Sequence, residues 1–414
     1  MNRTRIESAL LNQTLRNHIL EIYWAAVEAS LPAQNVEVAL TESKISQSIQ
    51  ESSRLHIVSI GKAGYSMLLG AVRGLQALNK KIDSAVLVIP DKPVELTELT
   101  QNLSSLQVFY GGHPLPNQNS IQSAQTVVDS ISQLSSTDVV LLLISGGGSA
   151  LFELPEVGLS LSELRAWYLK LINSGLPITE INRLRQSRSQ VKGGKLAQLT
   201  KAKIVQLLLS DVANDDPAII ASGPAWLTEL NNSDQRVLTR IVGSATIALH
   251  AAKVKAESLG YQTIALSSVQ EGDSSEVGRL FASAAKSLSV LKRQSSIVIL
   301  SCGETTVAIK PNSGKGGRNM HLALAAAIEL ADSANQIYLA SLGTDGRDGP
   351  TDAAGAIVDC QTVSRIKNSG NNANQYLAEF DSYTALTLSN DVVKVKLTGT
   401  NVGDIMIALI SSEV

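Results

Sequence analysis

The chain has 414 residues, 44% of them hydrophobic and 17% charged, so it can form the cores of two or more domains. Its formal net charge is −2 and it has no basic tract, which argues against nucleic acid as the main partner. No apolar run is long enough to span a membrane, the first residues do not resemble a signal peptide, and the two cysteines fit neither a zinc site nor a disulfide framework. These features predict a cytoplasmic protein.

The first elements follow the order of an α/β protein. Residues 5–31 have the periodicity of a helix, which Pro32 ends. A strand at 55–60 then leads into the turn Gly61–Gly64 and another helix. Lys62 therefore stands at the C-terminal end of a strand, where open α/β sheets bind ligands. A solvated surface lysine is the alternative, but this position favours a functional one.

Two more apolar strands, 84–89 and 106–110, come next. The second leads into the loop Gly111–Pro116, which two glycines and two prolines make rigid. His113 lies in this loop. It could bind substrate or only cap the loop, and its chemistry favours neither interpretation.

The most informative stretch is Asp138–Pro155. Residues 139–144 are all apolar, which predicts a strand buried on both faces. The strand ends in Gly146, Gly147, Gly148 and Ser149, where backbone N–H groups can approach an anion and a following helix would add its dipole. We therefore predict phosphate binding here rather than a plain turn. The spacing matches neither G-x-G-x-x-G nor the Walker pattern, so it does not name the ligand.

A basic segment follows at residues 181–195. It contains Arg185 and Lys192 and ends in Gly193 and Gly194. Such a segment can hold phosphate or carboxylate groups, but it can equally be a solvated face.

Carboxylates then follow a strand at 204–209. Asp211 and Asp215 come directly after it, which makes them candidate magnesium ligands or a catalytic base. Residues 231–259 have the pattern of a long helix. The polar stretch 292–296 resembles a linker, so we predict domains at 1–292 and 293–414.

The predicted second domain repeats the same chemistry. Glu304 follows a strand, and Asp345 lies in the acidic, glycine-rich turn 343–352. Gly317, Arg318 and Asn319 form a glycine turn before a helix.

Glycine turns with Lys or Arg, and strand ends with Asp or Glu, are what phosphoryl transfer requires. Cations and N–H groups hold the spread charge, and carboxylates bind Mg²⁺ or accept a proton. No Ser-His-Asp arrangement is recognisable, and hydride transfer would need a dinucleotide fingerprint that is not found. A nucleotide sensor would keep the glycine turns without the acidic strand ends.

Several long motifs, in the same order, resemble the glycerate 2-kinases of the MOFRL type (class II glycerate kinases). They are SIGKAG at 59–64, GGHPLPN at 111–117, SGGGSALFELP at 145–155, INRLR and VKGGKLA within 181–197, LLSDVANDDPAIIASGP at 208–224, GGRN at 316–319, GTDGRDGPTDAAGA at 343–356 and TGTNVGD at 398–404. The resemblance implies a kinase that uses ATP and Mg²⁺ to convert D-glycerate to 2-phosphoglycerate. A hydroxypyruvate reductase and a catalytically weak binding protein remain the alternatives.

The resemblance also implies a fold and a set of partners. The fold is α/β, with a larger Rossmann-like three-layer domain, a smaller C-terminal α/β domain and the site in the cleft between them. Lys62 and Arg318 would then converge as that cleft closes. The expected partners are ATP and a small hydroxy acid. We expect neither nucleic acid nor a membrane as a partner, and a homodimer is possible.

Roles carry over from the family position by position. Lys62 and Arg318 match the family's catalytic lysine and arginine, and we add Asp211 as the third catalytic residue. For ATP or phosphate we predict Gly146, Gly147, Gly148, Ser149, Lys192, Gly193, Gly194, Gly317 and Asn319. For substrate we predict His113, Arg185 and Asp345, and for Mg²⁺ we predict Asp211, Asp215, Glu304 and Asp345. The chain departs from the family after Arg185, where Gln186 and Ser187 replace the usual Lys-His, so the acceptor could differ.

Overall fold

The structure is a computed structural model that describes residues 3–90, 96–176, 178–226, 236–291, 295–309, 313–331, 333 and 336–412. The chain forms two compact units. We call residues 31–244 the Rossmann-like unit, and residues 1–30 together with 245–414 the mixed-sheet unit. The N-terminal helix α1 (Arg3–Glu28) belongs to the mixed-sheet unit.

The Rossmann-like unit alternates strands with helices. Its elements are α2 (Pro32–Thr41), α3 (Ser43–Gln50), β1 (Leu55–Ile60), α4 (Gly64–Ala77), β2 (Ser84–Ile89), α5 (Thr97–Asn102), β3 (Leu106–Tyr110), α6 (Gln118–Ile131), β4 (Val139–Ile144), α7 (Gly148–Leu151), α8 (Leu161–Ile172), α9 (Ile178–Ser187), α10 (Lys195–Gln198), β5 (Lys203–Leu209) and β6 (Val237–Gly243).

All six strands of this unit are parallel, in the order β3-β2-β1-β4-β5-β6. This is the strand order of doubly wound nucleotide-binding folds, and it confirms the predicted α/β class. All six residues of β4 are buried, as its unbroken apolar run predicts. The order reverses between β1 and β4, so the crevice beyond their carboxyl ends is the expected ligand position.

One predicted element of this unit is wrong in part. The helix expected over 231–259 begins only at Ala245, and β6 precedes it as a strand paired with β5. Val237, Thr239 and Ile241 are β-branched and alternate with other residues, which suits a strand at the sheet edge better than a helix. Residues 231–235 lie outside the described residues.

The mixed-sheet unit continues after β6. Its further elements are α11 (Ala245–Ser258), β7 (Gln262–Ala265), α12 (Ser274–Ser289), β8 (Ile297–Gly303), α13 (Arg318–Leu330), β9 (Ile337–Gly343), β10 (Gly355–Asp359), α14 (Thr362–Asn368), α15 (Ala373–Ala378), α16 (Ser382–Leu388), β11 (Val392–Val393) and β12 (Asp404–Ile410).

The second sheet has the order β11-β10-β9-β12-β8-β7. Among the described strands of this sheet, β7 and β8 pair in parallel and the other pairs are antiparallel. Residues of α12 and α13 pack with this sheet in one apolar core. Helix α1 joins the same unit, because Arg16 donates hydrogen bonds to Asp359 (2.6 Å) and to Asp391 (2.7 Å).

The compact units do not follow the predicted division at residue 292. Residues 245–291 lie in the mixed-sheet unit and not with the first domain. The physical reason is pairing: β7 forms the edge of the second sheet beside β8, and Phe281 and Ala285 of α12 belong to the core that β8 and α13 share. The division falls instead between residues 244 and 245, and residues 292–294 of the polar stretch lie outside the described residues.

Candidate active site

The turns after β1 and β4 lie side by side at the carboxyl edge of the parallel sheet. The N–H of Lys62 donates to the carbonyl of Gly146 (2.9 Å), and the N–H of Ala63 donates to the hydroxyl of Ser145 (3.0 Å). These bonds fix the lysine turn against the glycine turn. The side chain of Lys62 is exposed, and its amine has no ion pair or hydrogen bond to another described residue.

The glycine turn presents unpaired donors. Gly147 has φ of +83°, a left-handed conformation that favours glycine. Within the described residues, the N–H groups of Gly147, Gly148 and Ser149 have no hydrogen-bond acceptor. The predicted helix after the turn is only the four-residue α7, so a large helix dipole is not available. The donors that this turn offers to an anion are instead its consecutive N–H groups, which form a concave nest.

Three cationic or titratable side chains surround this nest. A Cβ atom on Gly147 would lie 3.1 Å from Cδ2 of His113 and 3.4 Å from Cε of Lys62. Nη1 of Arg185 lies 3.5 Å from the hydroxyl of Ser149. Burial, together with the charges of Lys62 and Arg185, lowers the pKa of His113. The histidine is therefore neutral near pH 7, and Lys62 and Arg185 supply the positive charge.

The basic segment is built differently from the prediction. Lys192 is buried and donates to the carboxylate of Glu153, so its amine does not reach the nest. The N–H groups of Gly193 and Gly194 donate to the carbonyls of Ser222 (3.0 Å) and Gly223 (2.8 Å). The structure therefore does not support Lys192, Gly193 and Gly194 as phosphate ligands, because each of these donors already has an acceptor.

The loop after β5 is strained where it reaches the site. Asn214, Asp215, Ala221 and Ser222 all have φ between +50° and +62°, although none is glycine. The amide of Gln186 holds this loop by donating to the carbonyls of Ala218 and Ser222, both at 3.2 Å. The residue that departs from the family thus has a structural role here.

The candidate carboxylates of this unit lie at the start of the same loop. Asp211 is exposed and lies against the glycine turn, because a Cβ atom on Gly146 would be 2.0 Å from its Oδ2. Asp215 is half-buried. Asp211 is therefore the better placed of the two to act at the nest.

The mixed-sheet unit has a cavity of about 1050 Å³, which contains most of the remaining candidates. Glu304, Gly317, Arg318 and Asp345 all line it. Burial raises the pKa of Asp345 above its ordinary value. Asp345 therefore carries its negative charge at a cost, which a bound cation would reduce.

Arg318 is anchored by two carboxylates in this cavity. Its Nε and Nη2 donate to Asp404 (2.6 and 3.1 Å), and its Nη1 donates to Glu304. A guanidinium has five N–H donors, so two remain for a ligand. These carboxylates help to raise the pKa of Arg318, although burial opposes them, and the side chain stays charged.

The glycine turn before α13 does not resemble the turn after β4. The N–H groups of Asn319 and Met320 donate to the carboxylate of Asp348 (3.0 and 2.7 Å). The amide side chain of Asn319 is buried and accepts from Ser341 (2.5 Å). The structure therefore does not support Asn319 as a phosphate ligand, and Gly317 contributes only to the cavity wall.

No part of the described chain brings together three His, Cys, Asp or Glu side chains that could hold a metal ion. Of the four predicted ligands, Glu304 already pairs with Arg318. Asp211, which is exposed beside the glycine turn, and Asp345, which lines the cavity of the mixed-sheet unit, are the carboxylates best placed to take a cation. No helix in the described residues is long and apolar enough to cross a bilayer.

Sequence reasoning missed four residues that the structure places at these sites. Asp348 and Asp404 lie in motifs that the sequence showed, but nothing there indicates that they hold backbone N–H groups or Arg318. Glu153 and Tyr168 read as ordinary residues of a loop and a helix. Their burial beside Lys192 and Arg185 becomes visible only in the fold.

Two family models and several known proteins match this chain. Residues 18–255 match a domain of unknown function, DUF4147, and residues 297–404 match the MOFRL family. A D-glycerate 2-kinase of Thermotoga maritima is 35% identical over 96% of this chain and 99% of its own length. A protein of Agrobacterium vitis, whose name as a hydroxypyruvate reductase is provisional, is 33% identical over 84% of this chain and 100% of its own.

A solved structure extends the likeness to the fold. The crystal structure of a glycerate kinase from Thermotoga maritima has 34% sequence identity and a TM-score of 0.83, and the match covers 96% of this chain and all of that one. The chain therefore belongs to the MOFRL-type glycerate 2-kinase family, and the prediction of a kinase is confirmed.

Proposed function

We propose that the protein transfers the γ-phosphoryl group of ATP to the 2-hydroxyl of D-glycerate and releases 2-phosphoglycerate and ADP. The observation that carries this proposal is the anion nest of the Rossmann-like unit. Its unpaired N–H groups at Gly147, Gly148 and Ser149 lie beside Lys62 and Arg185 at the switch point of the sheet. Family membership supports the choice of D-glycerate as acceptor.

The reaction places negative charge where this chain offers cations. In phosphoryl transfer, charge spreads over the three equatorial oxygens of the moving group, and preorganised donors stabilise it. We assign this task to Lys62 and Arg318. Lys62 has a free amine, and Arg318 has two free N–H donors and lines a cavity.

The bonds and the proton balance as follows. The 2-hydroxyl oxygen of glycerate forms a bond to the γ-phosphorus, and the bond from that phosphorus to the oxygen of the departing ADP breaks. The hydroxyl proton passes to a carboxylate, for which we propose Asp211 because it is exposed beside the glycine turn. The carboxylate of glycerate binds Arg185, with His113 as a neutral neighbour, and Asp345 remains a further candidate for substrate contact.

We propose that Mg²⁺ binds together with ATP and not in a site formed by the protein alone. Mg²⁺ keeps several waters and usually takes one or two carboxylates besides phosphate oxygens. We propose Asp211 and Asp345 as the candidate Mg²⁺ ligands, because Glu304 is engaged with Arg318 and Asp215 lies in the strained loop. When bound, the ion would neutralise charge on the phosphate oxygens.

A paired assay tests the proposal against its alternatives. Release of ADP from ATP is followed with D-glycerate, and consumption of NADH is followed in parallel with hydroxypyruvate. We expect ADP release that depends on D-glycerate and stops when EDTA removes Mg²⁺. Enolase converts 2-phosphoglycerate directly, so coupling the product to enolase without a mutase identifies the phosphorylated position.

Each alternative has its own signature in the same assay. NADH oxidation without ADP release would replace the kinase by a hydroxypyruvate reductase. Silence in both arms would favour the catalytically weak binding protein. ADP release with another hydroxy acid but not with D-glycerate would keep the kinase and change the acceptor, which is the point that Gln186 and Ser187 leave open.

A further inference from the structure

We infer that Tyr168, fixed by a buried cluster of Glu153, Ser189 and Lys192, is a positioning residue that holds Arg185 ready for the carboxylate of the acceptor. The inference deepens the proposed function and rests on its assignment of Arg185 to substrate. Tyr168, Glu153 and Lys192 are at most 1% exposed, and Ser189 is 2% exposed. None of them can touch a ligand directly in this arrangement.

The cluster joins three segments around one carboxylate. Glu153 accepts hydrogen bonds from the hydroxyl of Tyr168, from the amine of Lys192 and from the hydroxyl of Ser189, the last at 2.6 Å. The positive charge of Lys192 balances the negative charge of Glu153 inside the core. The tyrosine ring is therefore held at its hydroxyl end.

The ring in turn supports Arg185. The centre of the guanidinium lies 4.4 Å from the centroid of the Tyr168 ring, within the range of a cation–π contact. Its Nη1 points to Ser149 of the nest at 3.5 Å, and its Nε is buried without a hydrogen-bond partner among the described residues. The face of the Tyr168 ring therefore sets the position of the Arg185 guanidinium.

The neighbouring arginines lie beside carboxylates, whereas Arg185 lies on an aromatic ring. Arg183 pairs with Glu180 (2.6 Å), and Arg188 lies 3.8 Å from Glu156. In the described part of the chain, Arg185 has no carboxylate within ion-pair distance. A ring face orients a cation without cancelling its charge, so Arg185 remains able to bind a carboxylate that an acidic partner would repel.

The first experiment replaces the ring. Tyr168→Leu should raise KM for D-glycerate about 5- to 20-fold, the size expected for loss of a partly buried cation–π contact. The kcat and the KM for ATP should stay within about twofold, since the reacting groups are not moved. The matched control is Trp167→Leu, which removes the adjacent ring of α8 that lies 5.1 Å from Arg188. It should leave KM for D-glycerate unchanged.

A double-mutant cycle separates positioning from general loosening of the fold. In an Arg185→Ala background, Tyr168→Leu should cause no further rise in KM, because its effect acts through Arg185. The inference is overturned if the rise persists in that background, or if Trp167→Leu produces the same rise. Tyr168→Phe keeps the ring and loses the tether, so we expect an intermediate KM, and this variant serves if Tyr168→Leu does not fold.

Failure of the proposed function is recognised separately. If the wild-type protein does not phosphorylate D-glycerate, the same cycle is measured by calorimetry with inorganic phosphate as the probe. Weaker phosphate binding by Tyr168→Leu, absent in the Arg185→Ala background, would support positioning of Arg185 for an anion. Equal phosphate binding by wild type and Tyr168→Leu would overturn it.

Discussion

Two glycine turns of this protein look alike in sequence and differ in what their N–H groups do. In the turn after β4, the N–H groups of Gly147, Gly148 and Ser149 find no acceptor among the described residues. In the turn before α13, Asp348 accepts the N–H groups of Asn319 and Met320. The first turn has N–H groups free for an external anion, whereas the N–H groups of the second turn are taken by Asp348.

The difference lies in a single carboxylate and not in the glycines. A buried Asp at a helix N-terminus satisfies the donors that a phosphate would otherwise take. The second turn therefore stabilises the start of α13 and positions Arg318 beside it. Glycine content alone does not identify an anion site, because the donors must also be free.

The largest effect is expected from removing Lys62, the cation beside the turn after β4 (the open turn, whose N–H groups have no acceptor among the described residues). Lys62→Ala should lower kcat by about 10²-fold or more, in line with loss of one preorganised donor to the transition state. Binding of ATP should change far less, since the contact is strongest in the transition state. Initial rates of ADP release and a thermal melt decide the outcome. Lys81→Ala, a lysine with an 83% exposed side chain, is the matched control.

The same measurements on Arg318→Ala test the cation beside the turn before α13 (the closed turn, whose N–H groups donate to Asp348). We expect a similar fall in kcat, joined by a lower melting temperature, because Asp404 is 1% exposed and loses its partner. A well-folded variant with near-normal turnover per folded molecule would remove that residue from the mechanism. For Arg318 it would leave only the anchoring role.

The second test exchanges one glycine in each turn. Gly147→Ala forces a side chain into a left-handed backbone beside His113, so the nest should distort and kcat/KM should fall about 10- to 100-fold. Gly317→Ala places a Cβ atom 2.2 Å from Oδ1 and 2.5 Å from the backbone carbonyl carbon of Asp348, so the side chain and the backbone of Asp348 must both shift. That variant should lose about 1–3 kcal/mol of stability, and its turnover per folded molecule should fall less than that of Gly147→Ala, because Asp404 and Glu304 still hold Arg318. Equal kinetic losses in both variants would contradict the comparison.

The sequence predicted much of the Rossmann-like unit because its signals are local. Strands β1, β2, β3 and β4 have the predicted bounds, since each is a short apolar run next to glycine or a polar turn. Helices α14, α15 and α16 were not predicted. Each has only six or seven residues, too few for a periodic pattern to show.

The candidate site was predictable only where position in the fold follows from chain order. Lys62 and the turn at Gly146–Ser149 follow parallel strands, so their proximity could be expected. Gly193 and Gly194 follow no strand, and the sequence cannot show that their N–H groups already have acceptors. The same holds for Lys192, whose partner Glu153 is 39 positions away.

The last test concerns the carboxylate of Asp348, which accepts the N–H groups of the turn before α13. Burial raises the pKa of Asp348 to about 6, although the N–H groups of Met320 and Asn319 oppose the rise. Because the pKa in the folded state exceeds the ordinary value near 4, the folded protein holds this proton more tightly than the unfolded chain. The stability that this proton contributes is complete below about pH 4 and is lost as the pH rises through 6.

Asp348→Asn should remove that dependence. The difference in unfolding free energy between wild type and variant should change by about 2–3 kcal/mol between pH 4 and pH 6, with wild type losing stability relative to the variant as the pH rises. Denaturant melts at several pH values measure this difference, and the other titrating groups cancel because both proteins share them. Parallel stability profiles would show that Asp348 titrates at its ordinary value. Asp348 would then cap α13 as a charged group from just above pH 4, and the N–H groups of Asn319 and Met320 would offset its burial in full.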